Sequence, residues 1–101
     1  MPKPASADSR AQTARRPLLI ASHIWDELDS YDKNLKSKFI RAFRFISRDI
    51  GHPSLRLELV KTGTGSFYRA RVNDAHRIHF EVWSDYYLIL AIGAHRLQGI
   101  G

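Results

Sequence analysis

Two hydrophobic periods divide this chain. Leu35, Phe39, Ala42, Phe43, Ile46 and Ile50 recur at three- and four-residue steps, forming one stripe of an amphipathic helix. Asp32 stands where an N-cap belongs, Gly51 suits the residue just past the end, and Pro53 blocks continuation. The pattern therefore predicts a helix from Asp32 to about Ile50. From Leu55 the period drops to two. Strands are expected over Leu55–Lys61, Phe67–Val72, His76–Trp83 and Tyr86–Ile92. The links are Thr62-Gly63-Thr64-Gly65, Asn73-Asp74 and Ser84-Asp85, short and rich in residues that accept turn geometry, so neighbouring strands should run antiparallel. Upstream, Leu18 to Ala21 suits a short first strand. Ser22 suits the cap of a helix from about His23 to Tyr31, in which Trp25 and Leu28 share a face. The expectation is an α+β two-layer domain: a helical hairpin on a four-stranded antiparallel sheet, five-stranded if the first strand joins.

Composition sets the boundaries. The chain has 101 residues, 44% of them hydrophobic, enough for one domain with a modest core. The segment MPKPASADSRAQTARRP, residues 1–17, is rich in Ala, Ser, Pro and Arg and is expected to be a disordered basic tail before a single domain at 18–101. It lacks the apolar centre of a signal peptide, and Pro2, Pro4 and Pro17 oppose the amphipathic helix of a mitochondrial transit peptide. Cysteine is absent, which removes disulfides and thiolate metal sites and suits a cytoplasmic location. No apolar run reaches the ~18 residues of a membrane span. No His or acidic pair has metal-ligand spacing and the Gly-Thr-Gly turn is too weak for a phosphate loop, so no metal or cofactor is expected.

Charge is where function shows. The net charge is +6; Lys3, Arg10, Arg15 and Arg16 against Asp8 give the tail +3 and leave +3 for the rest. Position therefore matters more than total. On the long helix Arg41, Arg44 and Arg48 fall within about 60° of one another, opposite the apolar stripe. They form either a solvated face or a ridge that contacts phosphates. In SFYRARVNDAHRIHFEV, residues 66–82, Tyr68, Ala70, Val72, Ile78, Phe80 and Val82 share the parity expected to face the helices. Arg69, Arg71, Arg77, His79 and Glu81 share the other and are expected on the wet face, where Glu81 can pair with Arg69 or Arg71. The surplus of cations needs an anion, and phosphate suits the guanidinium fork. His79 and His95 beside such a clamp would permit general acid–base chemistry, although each alone reads first as a surface or packing residue. His76, on the apolar parity, reads as structural; His23 and His52 carry no assignment.

Residues 52–96, with His52-Pro53, Tyr68-Arg69-Ala70-Arg71-Val72, His76-Arg77-Ile78 and Gly93-Ala94-His95-Arg96 in order after a helical hairpin, resemble the C-terminal half of the RelE/ParE toxin superfamily. The likeness extends over most of residues 20–98. It implies a toxin of a type II toxin–antitoxin system, neutralised by a cognate antitoxin. RelE-like members cut mRNA in the ribosomal A site, using the RNA 2′-OH as nucleophile and leaving a 2′,3′-cyclic phosphate. Carried onto this sequence, the resemblance makes Arg71, Arg77, His95 and His79 the catalytic set and Arg69, Arg96, Arg41, Arg44 and Arg48 the RNA-binding set. Arg71 and Arg77 would stabilise the pentacoordinate phosphate, Arg69 would position the backbone, and His95 or His79 would move protons. Many nuclease members carry a Tyr just beyond the Gly-x-Arg segment. Here the residues are Leu97-Gln98-Gly99-Ile100-Gly101, and Tyr86 and Tyr87 do not occupy that place. The departure keeps open a ParE-type inhibitor of DNA gyrase, or a non-catalytic binding module.

Overall fold

The computed structural model describes residues 15–94. In chain order the elements are β1 (Leu18–Leu19), α1 (Ser22–Asp29), α2 (Lys33–Arg48), a 3-10 turn (Pro53–Leu55), β2 (Glu58–Thr62), β3 (Gly65–Arg71), β4 (His76–Val82) and β5 (Tyr87–Ala94). The sheet order is β1-β5-β4-β3-β2. β2 to β5 form the expected antiparallel meander, and β1 joins as a fifth strand. It does so in parallel with β5, pairing Leu18 with Tyr87 and Leu19 with Leu88, so the sheet is mixed.

The stripe of α2 and the inward parity of the strands meet in one core. Phe39, Ala42, Phe43 and Ile46 are buried against Tyr68, Ala70, Ile78, Phe80, Val82, Tyr87, Ile89 and Ile92. Asp32 caps α2, its Oδ1 accepting from the Leu35 N–H at 2.9 Å. The helix stops at Arg48 because Asp49 leaves helical geometry, which puts Gly51 beyond the C′ position expected for it, although Ile50 remains buried. In α1 the cap is Ala21, with no side-chain hydrogen bond, and Ser22 is the first helical residue instead of the cap. Ile24 and Leu28, four apart, form its buried face, while Trp25 stays partly exposed beside Phe43. No helix among the described residues is long and apolar enough to cross a membrane.

Two local features move strand boundaries away from the simple alternation. Leu55 is buried in the 3-10 turn, and Arg56 follows in the left-handed region (φ 42, ψ 55), so β2 begins only at Glu58. In β5, Phe80 faces Ile89 while His79 faces Ala91, which leaves Leu90 as an extra residue in a bulge. That residue resets the phase: Tyr87, Ile89 and Ile92 all point into the core, and Leu90 is exposed. Before β1, Arg16 is tied to both layers. Its N–H donates to Ser47 O at 3.0 Å, its carbonyl accepts from Ser47 Oγ at 2.6 Å, and its Nε donates to Ser84 O at 3.1 Å.

Candidate nucleic-acid interface

The outer face of the sheet, turned away from the helices, carries Phe67, Arg69 and Arg71 on β3 and Arg77, His79 and Glu81 on β4. Cross-strand register places Arg71 directly opposite Arg77 and Arg69 opposite His79. Three guanidiniums and an imidazole therefore occupy two successive rungs of one ladder, as the alternation implied. Burial, then the fields of Arg71 and Arg69, pull the Arg77 guanidinium below its ordinary value. The cations do repel one another here, and each is held by different means.

Arg71 pairs with Asp74 in the β3–β4 turn, an exposed carboxylate whose pKa Arg71 lowers by hydrogen bond and by charge. Arg77 turns back on the same turn: its Nη1 donates to Asn73 O at 2.6 Å and His76 O at 3.0 Å. Arg69 differs from both. Its side chain is only 12% exposed, and Nη2 reaches Glu58 Oε2 at 3.3 Å. Its Nε and Nη1 are buried with no acceptor among the described residues. Glu81, expected to balance Arg69 or Arg71, instead accepts from Trp83 Nε1 at 3.0 Å. The partners of the arginines are Glu58 and Asp74.

His79 is not on a wet surface. It is 5% exposed and lies 4.6 Å from the Phe67 ring on the neighbouring strand. Parity placed it on the correct face, but Phe67 turns that part of the face into an apolar platform. His76 is half-buried and packs edge-on against Phe39, at 5.8 Å, as a structural residue should. His95 and Arg96 lie outside the described residues.

Arg41, Arg44 and Arg48 stand exposed on α2, on the other layer from Arg69 and His79. Their helix, KNLKSKFIRAFRFISR, contains six cations and no acid, and of these Lys36 pairs with Asp29. Two features escaped the sequence reading. Arg41 lies 5.4 Å over the Phe45 ring, and Phe45 stacks nearly parallel on His52 at 3.9 Å. Lys38 and Arg41 also share a cleft with Arg71, so ridge and sheet meet there. Lys38, one turn before Arg41 in a helix without acids, was the available signal. Among the described residues no group of three or more His, Asp or Glu is placed to hold a metal.

The antiparallel meander on a helical hairpin is a fold shared with solved structures. The structure of an archaeal RelE–RelB complex from Pyrococcus horikoshii OT3 matches with a TM-score of 0.64 over 87% of this chain and 100% of that one, at 18% sequence identity. The structure of a YoeB dimer from Staphylococcus aureus matches with a TM-score of 0.61 over 81% of this chain and 99% of that one, at 19% identity. No family model and no curated protein sequence matches the chain. The likeness is thus one of fold, carried by structure at low identity.

Proposed function

We propose that this protein is the toxin of a type II toxin–antitoxin system and acts as a ribosome-dependent mRNA endoribonuclease in the cytoplasm. The observation that carries this reading is Arg69: a buried guanidinium with two donors lacking an acceptor among the described residues, next on the same face to the facing pair Arg71 and Arg77. A phosphodiester on this ladder would supply the missing acceptors and neutralise the mutual repulsion. Guanidiniums placed in advance around the phosphate stabilise the charge that grows as the 2′-OH attacks and the 5′ oxygen leaves. The exposed arginines of α2 would hold flanking phosphates of the RNA and ribosome, contacts that position without entering the chemistry. His95 and His79 are the assigned proton carriers, and Arg96 an RNA contact; the burial of His79 slows its own exchange with water. The RelE–RelB neighbour supports an antitoxin as partner. Its segment would bring acids to the arginine ladder and apolar side chains to Phe67 and the exposed Leu90 of β5.

Controlled induction in bacterial cells tests the reading. Growth should stop with translation, and transcripts should be cut within codons, leaving 2′,3′-cyclic phosphate ends. Intact transcripts with a DNA-damage response would instead identify a gyrase inhibitor.

A further inference from the structure

The open end of β3 bears a second basic site. β2 pairs no further along β3 than Glu58 with Arg69, because the 3-10 turn and the left-handed Arg56 carry the chain away from the sheet. Beyond that rung no strand among the described residues flanks Arg71 and Asn73 on this side. A cleft of about 300 Å³ opens there, walled by these two residues, by Ser54 of the 3-10 turn, and by Lys38, Arg41 and Phe45 of α2. Three cations line it and, among the described residues, no carboxylate does.

The polar wall is braced. Ser54 donates its N–H to His52 Nδ1 at 3.1 Å, its Oγ lies 2.7 Å from the same nitrogen, and His52 is stacked on Phe45. Arg41 is held over Phe45. Asn73 spends its Oδ1 on the N–H groups of Ala75 and His76, at 2.9 and 2.8 Å, which leaves its amide NH₂ to donate. The volume falls at the small end of the roughly 300–1,000 Å³ of ligand clefts.

We propose that this cleft binds a phosphate group. Its cations converge from two layers, and its size admits one phosphate with part of a nucleoside. Arg71 is free to change partner, because Asp74, 98% exposed, gains little from the present pairing. The phosphate can come from an RNA strand leaving the arginine ladder or from a free nucleotide. The RNA source rests on the nuclease reading above; the site itself does not.

The test is nuclear magnetic resonance titration of the ¹⁵N-labelled full chain at constant ionic strength. Inorganic phosphate, adenosine monophosphate and a short single-stranded oligouridylate serve as the three probes. The backbone amides of Ser54 and Asn73 are expected to shift with phosphate. The paired change Lys38→Ala and Arg41→Ala, both at exposed positions, should weaken binding by about tenfold or more, since hydrogen bonds to charged groups are lost. Asp74→Asn should tighten it several-fold by freeing Arg71, a gain in affinity that a purely structural role of these residues does not produce. Oligouridylate binding more tightly than adenosine monophosphate assigns the source to RNA, and the reverse assigns it to a nucleotide. Shifts confined to Arg69, His79 and their strand neighbours would overturn the proposal, as would unchanged affinity in the paired variant. The titration contains no ribosome, so it is independent of cleavage: a protein that binds phosphate here but cuts no transcript when induced in cells refutes the nuclease and leaves the cleft standing.

Discussion

Replacing Arg69 with Met should make the protein more stable and much less active. The side chain is 12% exposed, so its stem is packed and Met keeps most of that packing. What disappears is a cation with Nε and Nη1 buried and without acceptors among the described residues. Leaving a buried donor unsatisfied costs about 1–3 kcal/mol. The contact with Glu58, 3.3 Å long to a carboxylate that is mostly exposed, returns less than about 1 kcal/mol. Relief of the field that Arg69 exerts on Arg77 adds in the same direction. The balance is a gain of about 1–3 kcal/mol, and each kcal/mol moves the melting temperature of a domain this size by about 4–8 °C. Arg69→Ala should gain less, because it also removes the packed stem. Arg69 would position the RNA backbone, and losing a hydrogen bond from a charged donor, about 1.5–3 kcal/mol, lowers cleavage by about 10–150-fold. Thermal unfolding followed by circular dichroism, with transcript cleavage on the same preparations, reads both effects. A Met variant that melts at or below the wild-type temperature would show that the donors are already satisfied. One that cleaves at the wild-type rate would remove Arg69 from the site.

Arg77→Ala should cost about 1.5–3 kcal/mol in urea unfolding, because a charged donor leaves the Asn73 and His76 carbonyls; an unchanged midpoint would show that the turn holds without it. Asp32→Ala should lose about 1 kcal/mol with the α2 cap, again by urea unfolding, and a neutral result would mean that packing alone sets the start of the helix. Burial, and after it the hydrogen bond to Glu27, pushes the Tyr31 hydroxyl up to about 12. The folded value lies above the unfolded value of about 10, so the protonated phenol contributes stability that is complete below pH ~10 and drains away as pH rises towards 12. Melting temperatures across that range should fall less steeply in Tyr31→Phe, and parallel curves would rule the linkage out.

What the sequence disclosed followed from how much of the burial pattern was local. The stripe of α2 was readable because six apolar positions agree on one face and Asp32 marks its start. The arginine ladder was readable because Tyr68, Ala70, Ile78 and Phe80 fix the parity of β3 and β4. Leu88-Ile89-Leu90-Ala91-Ile92 offers no such contrast: every residue is apolar, so neither the bulge nor the side taken by Ile92 could be inferred. The burial of His79 depends on Phe67 across the ladder, and the exposure of Arg69's partner Glu58 depends on where β2 begins. The first is a property of the β3–β4 register, and the second follows a left-handed residue, Arg56, whose type does not announce it. The parallel pairing of β1 joins residues far apart in sequence and left no local trace.

The charge of α2 has a consequence for the lifetime of the free protein. Lys38 and Arg41, Arg41 and Arg44, and Arg44 and Arg48 are neighbours on one helix surface, and like charges at these spacings oppose helix formation. Tertiary packing supplies what the helix lacks alone, so the uncomplexed chain carries an internal repulsion that any bound polyanion relieves. A ligand that binds only the folded form shifts unfolding by mass action. Heat resistance should then track occupancy, with the unaccompanied molecule the first to melt and the first to meet a protease. Abundance in the cell would thereby report how much of it is engaged.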